Sequence, residues 1–339
     1  MMKLPRTQSG MSLVELMIAI TLSLILSLGI IQIFSSSKQT SRVQNELARL
    51  QENARFALDL LSSDIRMAGQ LGCNSNVHVN DSSNGSLGPF SHGIRGYDYA
   101  GTDDIKLTAD GSLNNVIDGT DVIMVIAAGA NAVSATSTTA AVTAGSIAPI
   151  ADIDEGDPAI VSDCETADLF IAGAREPNSN ILPVKGATLS KTYSDNAEIA
   201  KLDYTAYYLR ADADGVRNLY RSYVNNLNNN PGIRTEALLA GVEDFQILYG
   251  QDINGDGSNI RYVDADNVDP TNPVADMSDI ISVRIHLLLA TTEDNLAPQQ
   301  PQPQQYWFMD DLQTAAAGDR RLFRSFTTTI QLRNQGIGT

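Results

Sequence analysis

Gly10-Met11-Ser12-Leu13-Val14-Glu15 leads into Leu16 to Phe34, an uninterrupted stretch without a charge. At about 1.5 Å per residue, its roughly nineteen residues make a helix on the order of 28 Å long, close to the thickness of a bilayer's hydrocarbon core. Ahead of it lies a short polar leader, Met1 to Gly10, with Lys3 and Arg6 as its only charges and Pro5 against helix. The positive-inside rule places that basic end in the cytoplasm and everything beyond the span outside. A secretory signal has its small-residue cleavage site after a shorter apolar region. Here Gly10 comes before the apolar run, so a cut at Gly10 leaves the helix on the mature chain. Glu15 is the anomaly. A carboxylate in a membrane helix costs roughly 2.5 to 3.5 kcal/mol on insertion scales and is normally paired or functional.

Past the membrane segment the helix continues. Val43, Leu47, Leu50, Ala54, Ala57 or Leu58, Leu61 and Ile65 recur at spacings of three and four, with Gln44, Glu46, Arg49, Glu52, Arg55, Asp59 and Asp64 between them. Gly69 and Gly72 are the stop signals. The spacing therefore predicts one helix of about 55 residues, half membrane-spanning and half packed on a domain, with Gly29 as its only weak point.

The remainder reads as strands and loops. Strands are expected at Ile105 to Thr108, Asp121 to Ala127, Pro158 to Ser162, Leu169 to Ala172, Tyr204 to Arg210, Asn218 to Tyr223, Gly241 to Tyr249, Ile280 to Ala290 and Leu322 to Leu332. Long irregular stretches are expected at Asn74 to Gly96, Ala128 to Ala148 and the Pro/Gln segment Ala297 to Gln305. The fold class is α+β: a long N-terminal helix on a largely antiparallel sheet domain. The organisation is a leader at 1–10, a membrane helix at 11–34, its amphipathic continuation at 35–68 and a β-rich domain at 69–339.

Charge and cysteine count narrow the function. The chain has 23 basic and 40 acidic residues, and losing Lys3 and Arg6 with the leader takes the formal charge from -17 to -19. A surface so acidic repels phosphate backbones, which argues against direct nucleic-acid binding. The only two cysteines, Cys73 and Cys164, lie beyond the membrane segment, where an oxidising compartment makes an even pair a disulfide. Such a bridge closes a loop of roughly 90 residues and contributes about 4 kcal/mol on the chain-entropy account.

Asp252-Ile253-Asn254-Gly255-Asp256-Gly257-Ser258 matches the first half of an EF-hand loop, which nominates Asp252, Asn254 and Asp256 as weak calcium ligands. The second half departs from that pattern, because Val263 stands where a bidentate Glu closes the loop. Asn-Gly and Asp-Gly also form plain hairpin turns. Asp212-Ala213-Asp214-Gly215 reads as such a turn. No catalytic motif occurs, and His78, His92 and His286 are scattered, so neither an enzyme nor an obligate cofactor is expected.

The basic leader, Gly10, apolar Met11, Glu15 as the fifth residue after Gly10 and the apolar helix resemble the class III signal of type IV pilins and pseudopilins. The resemblance implies cleavage after Gly10 by the prepilin peptidase and N-methylation of Met11, where most members have Phe. It also implies that Glu15 pairs with the free amino terminus of a neighbouring subunit during assembly. Over nearly the whole chain the layout resembles the PilW-type minor pilins. The segments that carry this are Phe56-Ala57-Leu58-Asp59-Leu60-Leu61-Ser62-Ser63-Asp64-Ile65-Arg66-Met67-Ala68-Gly69 with Gly72-Cys73, Gly156-Asp157-Pro158-Ala159-Ile160-Val161-Ser162-Asp163-Cys164, Tyr207-Tyr208-Leu209-Arg210 with Leu219-Tyr220-Arg221, and Gly241-Val242-Glu243-Asp244-Phe245-Gln246-Ile247-Leu248-Tyr249-Gly250.

That likeness implies a structural component that primes or assembles pili at the tip and supports adhesion or twitching motility. Its implied partners are the prepilin peptidase, other minor pilins, the major pilin, the inner-membrane assembly platform and a tip adhesin. The implied location is the inner membrane, with a periplasmic domain, and then the extracellular pilus. A minor pseudopilin of a type II secretion system is the alternative, and a membrane-tethered periplasmic enzyme or ligand-binding domain the remoter one.

Overall fold

The structure, a computed structural model, describes residues 12–71, 78–82, 93–101, 105–108, 111–146, 150, 153–227, 230–254, 257–268, 277, 280–297 and 303–333. Helix α1 (Leu13–Met67) is unbroken over 55 residues, Gly29 included. From Leu13 to Phe34 its large apolar side chains are all exposed. Its second half buries Leu50, Ala54, Ala57, Leu61 and Ile65, the predicted stripe narrowed to its centre, while Val43 and Leu47 are only half-buried. Glu46, expected on the polar face, is buried, with Arg49 Nη1 donating to its Oε1 at 3.1 Å. Alanines at 54 and 57 let the backbone of the helix approach the sheets, because neither carries a side chain beyond Cβ.

The strands, in chain order, are β1 (His78–Asp81), β2 (Ile94–Asp98), β3 (Lys106–Thr108), β4 (Gly111–Ser112), β5 (Asp121–Ala128), β6 (Val133–Ser137), β7 (Ala141–Ala144), β8 (Pro158–Ser162), β9 (Thr166–Ile171), β10 (Ile181–Pro183), β11 (Ala197–Ala211), β12 (Arg217–Leu227), β13 (Asn230–Ala240), β14 (Val242–Asp252), β15 (Ile260–Val263), β16 (Ile280–Ala290), β17 (Gln305–Phe308), β18 (Asp311–Thr314) and β19 (Phe323–Gln331). Among the described residues every pairing is antiparallel except β1 with β9.

The fifteen-residue β11 organises the larger sheet. Ala197–Lys201 pairs with β6 and β8, and Leu202–Ala211 pairs with β5 and β12. A second sheet runs β15-β14-β16-β19. Both sheets turn one face to α1, so the helix stripe shares one core with Ile123, Val125, Tyr207 and Leu209 of the first sheet and Phe245, Ile247, Val283 and Ile285 of the second. The buried runs of β5 and β8 follow from this double cover. β5 has the helix core on one side and Met124, Ile126, Tyr204 and Tyr208 in a separate core on the other.

Two expected loops contain strands. Ala128 to Ala148 holds β6 and β7, whose Val133, Ala135, Val142 and Ala144 pack with Phe170 and Leu182 in a third core. Asn74 to Gly96 holds β1 and the start of β2. Of the third expected irregular stretch, Ala297 to Gln305, residues 298–302 lie outside the described residues, and Gln305 opens the β17–β18 hairpin.

The distal end of α1 is locked by backbone. Gly69, at φ +72°, donates from its N–H to Ile126 O at 2.9 Å, and Ile126 N donates to Gly93 O at 2.8 Å. Gly93 sits at φ +79°, and a Cβ there would stand 2.1 Å from Gly69 N. Gly93→Ala meets both a left-handed backbone and a backbone clash, and should cost about 2–4 kcal/mol. Gly119→Ala, at φ +76° with open space around it, should cost about 1–2 kcal/mol. Denaturant midpoints of the full chain in detergent micelles check the difference; equal costs would show that the Gly93 crossing relaxes freely.

Candidate assembly site

Gly10 and Met11 lie outside the described residues, so the site begins at Ser12. Ser12 is the N-cap of α1, in extended conformation at φ -73° and ψ 150°. Its Oγ accepts from Glu15 N at 3.2 Å, and Glu15 Oε2 accepts from Ser12 N at 3.0 Å. This reciprocal capping box satisfies two backbone donors that a helix start otherwise leaves orphaned. In the single chain one Glu15 oxygen is thus engaged locally. The signal was in the sequence as Ser-x-x-Glu before an apolar run.

From Leu13 to Phe34 every large apolar side chain that α1 presents is exposed, from 48 % at Leu16 to 73 % at Leu13. The most apolar window of the helix has none of its residues buried by the domain, and the helix is long and apolar enough to cross a membrane. Five residues past Phe34 the domain takes hold. Gln39 Nε2 donates to Asn295 O at 3.3 Å and to Leu296 O at 3.4 Å, and Arg42 pairs with Glu293 at 2.8 Å. The ion pair is half-exposed at both ends and is worth at most about 1 kcal/mol. The two carbonyl contacts set position rather than strength. Farther up, Tyr207 Oη on β11 donates to Asp64, tying the last turns of the helix to the sheet. Burial and the neighbouring carboxylate hold the Tyr207 hydroxyl protonated, well above the usual phenol range.

The remaining predicted residues are spread over the domain. Cys164 stands between β8 and β9; its expected partner Cys73 lies outside the described residues, among which no free cysteine is found. Asp252 ends β14, where its two oxygens accept from Asn254 N at 3.2 Å and Gly257 N at 2.7 Å. That is the geometry of a side chain closing a turn. Asp256 lies outside the described residues, and among those described no three His, Cys, Asp or Glu side chains are placed to hold a metal ion. Asp212–Gly215 is a turn between β11 and β12, as expected, with Gly215 at φ +81°. His286 lies on β16 as expected, with Nδ1 3.0 Å from Thr327 Oγ1. His78 falls on β1, and His92 lies outside the described residues.

Asp168 was not singled out by sequence, yet it is fully buried and gathers Ser82 Oγ (3.0 Å), Ser190 N and Oγ (3.1 and 2.8 Å) and Tyr193 Oη (2.8 Å). Four donors on one carboxylate brace the third core. Three of them converge on Oδ2 and one on Oδ1, so the carboxylate is spent on structure.

Comparison with known proteins bears on the two ends of this arrangement. A family profile described as the prokaryotic N-terminal methylation motif matches residues 5–31, across the leader, the capping box and most of the exposed apolar helix. A second, described as Type IV Pilus-assembly protein W, matches residues 206–334, from the middle of β11 through β19. No curated protein and no solved structure matches the chain. The methylation motif implies processing by the prepilin peptidase and suggests a membrane anchor; the second match covers part of the strands that grip the upper half of that same helix, β2 and β5 lying outside it. An exposed apolar rod with a prepilin-type N-terminus, held by a domain whose residues 206–334 match the pilus-assembly profile, supports a type IV minor pilin of the PilW type.

Proposed function

We propose that this chain is a minor pilin that helps to prime or assemble type IV pili near the tip and thereby supports adhesion or twitching motility. The observation that carries the reading is the helix whose upper half is buried in its own domain while its apolar lower half is left bare. Such a half-clad rod lies in a bilayer first and against other rods of the same kind afterwards. On this reading the basic leader stays in the cytoplasm and the domain stands in the periplasm before moving to the pilus. The prepilin peptidase cuts after Gly10, Met11 is N-methylated, and the partners are other minor pilins, the major pilin, the assembly platform and a tip adhesin. The work is done by surfaces and not by catalysis.

Glu15 has two separable duties: the cap it makes with Ser12, and a charge that pairs with the new amino terminus of a neighbour. Glu15→Gln keeps an acceptor for Ser12 N–H and loses the charge, whereas Glu15→Ala loses both. Both variants should insert and give a mature chain beginning at Met11 by mass spectrometry, yet enter pili at least tenfold less than wild type. Normal incorporation of the Gln variant would assign Glu15 to capping alone. A different mature N-terminus would displace the Gly10 assignment. Loss of exported enzymes with intact pili on deletion would point instead to type II secretion.

Two smaller proposals accompany this reading. A Cys73 to Cys164 bridge ties the end of the helix region to the sheet; non-reducing peptide mapping should recover the joined pair, and two free thiols in periplasm-exposed protein would refute it. The Asp252, Asn254, Asp256 loop binds calcium only weakly, at about 10⁻⁴ to 10⁻³ M, since Asp252 already closes a turn with both oxygens. Calorimetry at about 10 mM calcium with neither heat nor thermal shift would leave it a plain turn.

A further inference from the structure

Strands β2 and β5 run antiparallel, and their register sets Asp98 directly opposite Asp121. Side chains so placed share one face, with Cβ atoms roughly 4.5–5.5 Å apart. On that face Ile94, Ile123 and Val125 enter the helix-side core, so the two carboxyls stand at its border. Asp121 is 5 % exposed. Each carboxyl also reaches beyond its own sheet. Asp121 Oδ2 accepts from Ile247 N on β14 at 2.6 Å. The oxygens of Asp98 accept from Ala265 N and Asp266 N, both at 3.2 Å, at the start of the short 3-10 turn Ala265–Asn267 that follows β15. The pair is thus a hydrogen-bonded seam between the larger sheet and the four-stranded one.

Tyr249 on β14 points to the same place. Its hydroxyl occupies the space over Gly96, where a Cβ would come within 2.1 Å of it, and Gly96 lies two residues before Asp98 on the same face. That hydroxyl is fully buried and has no hydrogen-bond partner among the described residues. The charged side chains that weigh on the pair are carboxylates, one of which, Asp244, itself feels Arg217. Asp121 feels Asp98 on β2, Asp244 on β14 and Asp264 beyond β15; Asp98 feels Asp264 and Asp266; Tyr249 feels Tyr97 on β2. Two carboxylates side by side disfavour each other's ionisation, the more so where one of them is buried. Burial first, and then these acidic neighbours, push Asp121 up to about 8, and burial raises Asp98 as well.

We propose that Asp98 and Asp121 hold one proton between them at neutral pH, and that this proton lets the two sheets close on each other, making the seam a pH-sensitive clasp. The proton belongs to the pair rather than to either residue. When it leaves to solvent, the buried Asp121 anion and the half-buried Asp98 anion face each other and the acidic neighbours, and β14 and the 3-10 turn part from β2 and β5. The sign follows from a folded pKa above the unfolded one. The contribution of Asp121 to stability is full below about pH 4, declines as pH rises, and is lost above about pH 8.

The test uses the full mature chain in detergent micelles. The infrared difference between wild type and Asp121→Asn should show a protonated carboxyl at pH 7 that disappears above about pH 8. Asp98→Asn, which removes the neighbouring charge and leaves Asp121 in place, should move that disappearance down by about one pH unit or more. Hydrogen exchange at Ile247 and at Ala265–Asp266, corrected for intrinsic rate, should quicken between pH 7 and pH 9 in wild type and stay slow in Asp121→Asn, whose amide oxygen still accepts from Ile247. The thermal midpoint of wild type should fall by on the order of 5–10 °C more than that of Asp121→Asn between pH 5 and pH 9. Absence of a protonated carboxyl at pH 7, or the same pH dependence in Asp98→Asn as in wild type, would overturn the clasp. If Asp121→Asn fails to fold, wild type against Asp98→Asn decides the matter by the same two readouts.

Discussion

Everything in this chain depends on how closely the two sheets can approach the upper half of α1. Ala54 and Ala57 keep that approach short, and Leu50, Leu61 and Ile65 fill the space on either side. Because the sheets meet the same stripe, neither can shift along the helix without uncovering apolar area that is worth roughly 25 cal/mol for each Å². The helix is the common floor of the domain. Its lower half contributes nothing to that core, which leaves it free to serve another solvent and then other chains.

The domain is held to this floor by polar contacts that add position more than energy. Gln39 and Arg42 meet the segment after β16, Asp64 meets Tyr207, and Gly69 is stitched to β5 through its own backbone. These contacts are spaced along the helix from just above the apolar run to its last turn. Between them the apolar stripe supplies the adhesion. The seam at Asp98 and Asp121 differs in kind, since there the two sheets touch through a buried and a half-buried acid and not through side chains of opposite charge.

Much of this was legible because period and composition changed together. The uncharged run, the 3.6-residue stripe and the glycines after Arg66 gave α1 to within a residue or two, and apolar strands such as Ile280–Ala290 and Pro158–Ser162 stood out against polar surroundings. β6 and β7 did not, because Val133, Ala135, Val142 and Ala144 alternate with Ser and Thr and look like a low-complexity loop; only tertiary packing against Phe170 and Leu182 distinguishes them. The β17–β18 hairpin hid behind its turn. Met309 and Asp310 both take positive φ there, a job normally signalled by Asn or Gly. Glu46 was misplaced because a helix stripe is read from apolar residues, and a carboxylate bent toward Arg49 can sit within it. The acid pair could not be read at all, since nothing in the sequence aligns residue 98 with residue 121.

The unbroken course of α1 also has an angular consequence. A helix turns about 100° and advances about 1.5 Å for each residue, so Glu15 and the domain-facing Leu50 hold a set azimuth to each other through roughly ten turns. Without proline, and with Gly29 fully helical, there is no swivel between them. Under the assembly role proposed for Glu15, whatever seats it among neighbouring helices also aims the domain: the compass bearing of β11, β14 and the seam is set from a point about 50 Å below them.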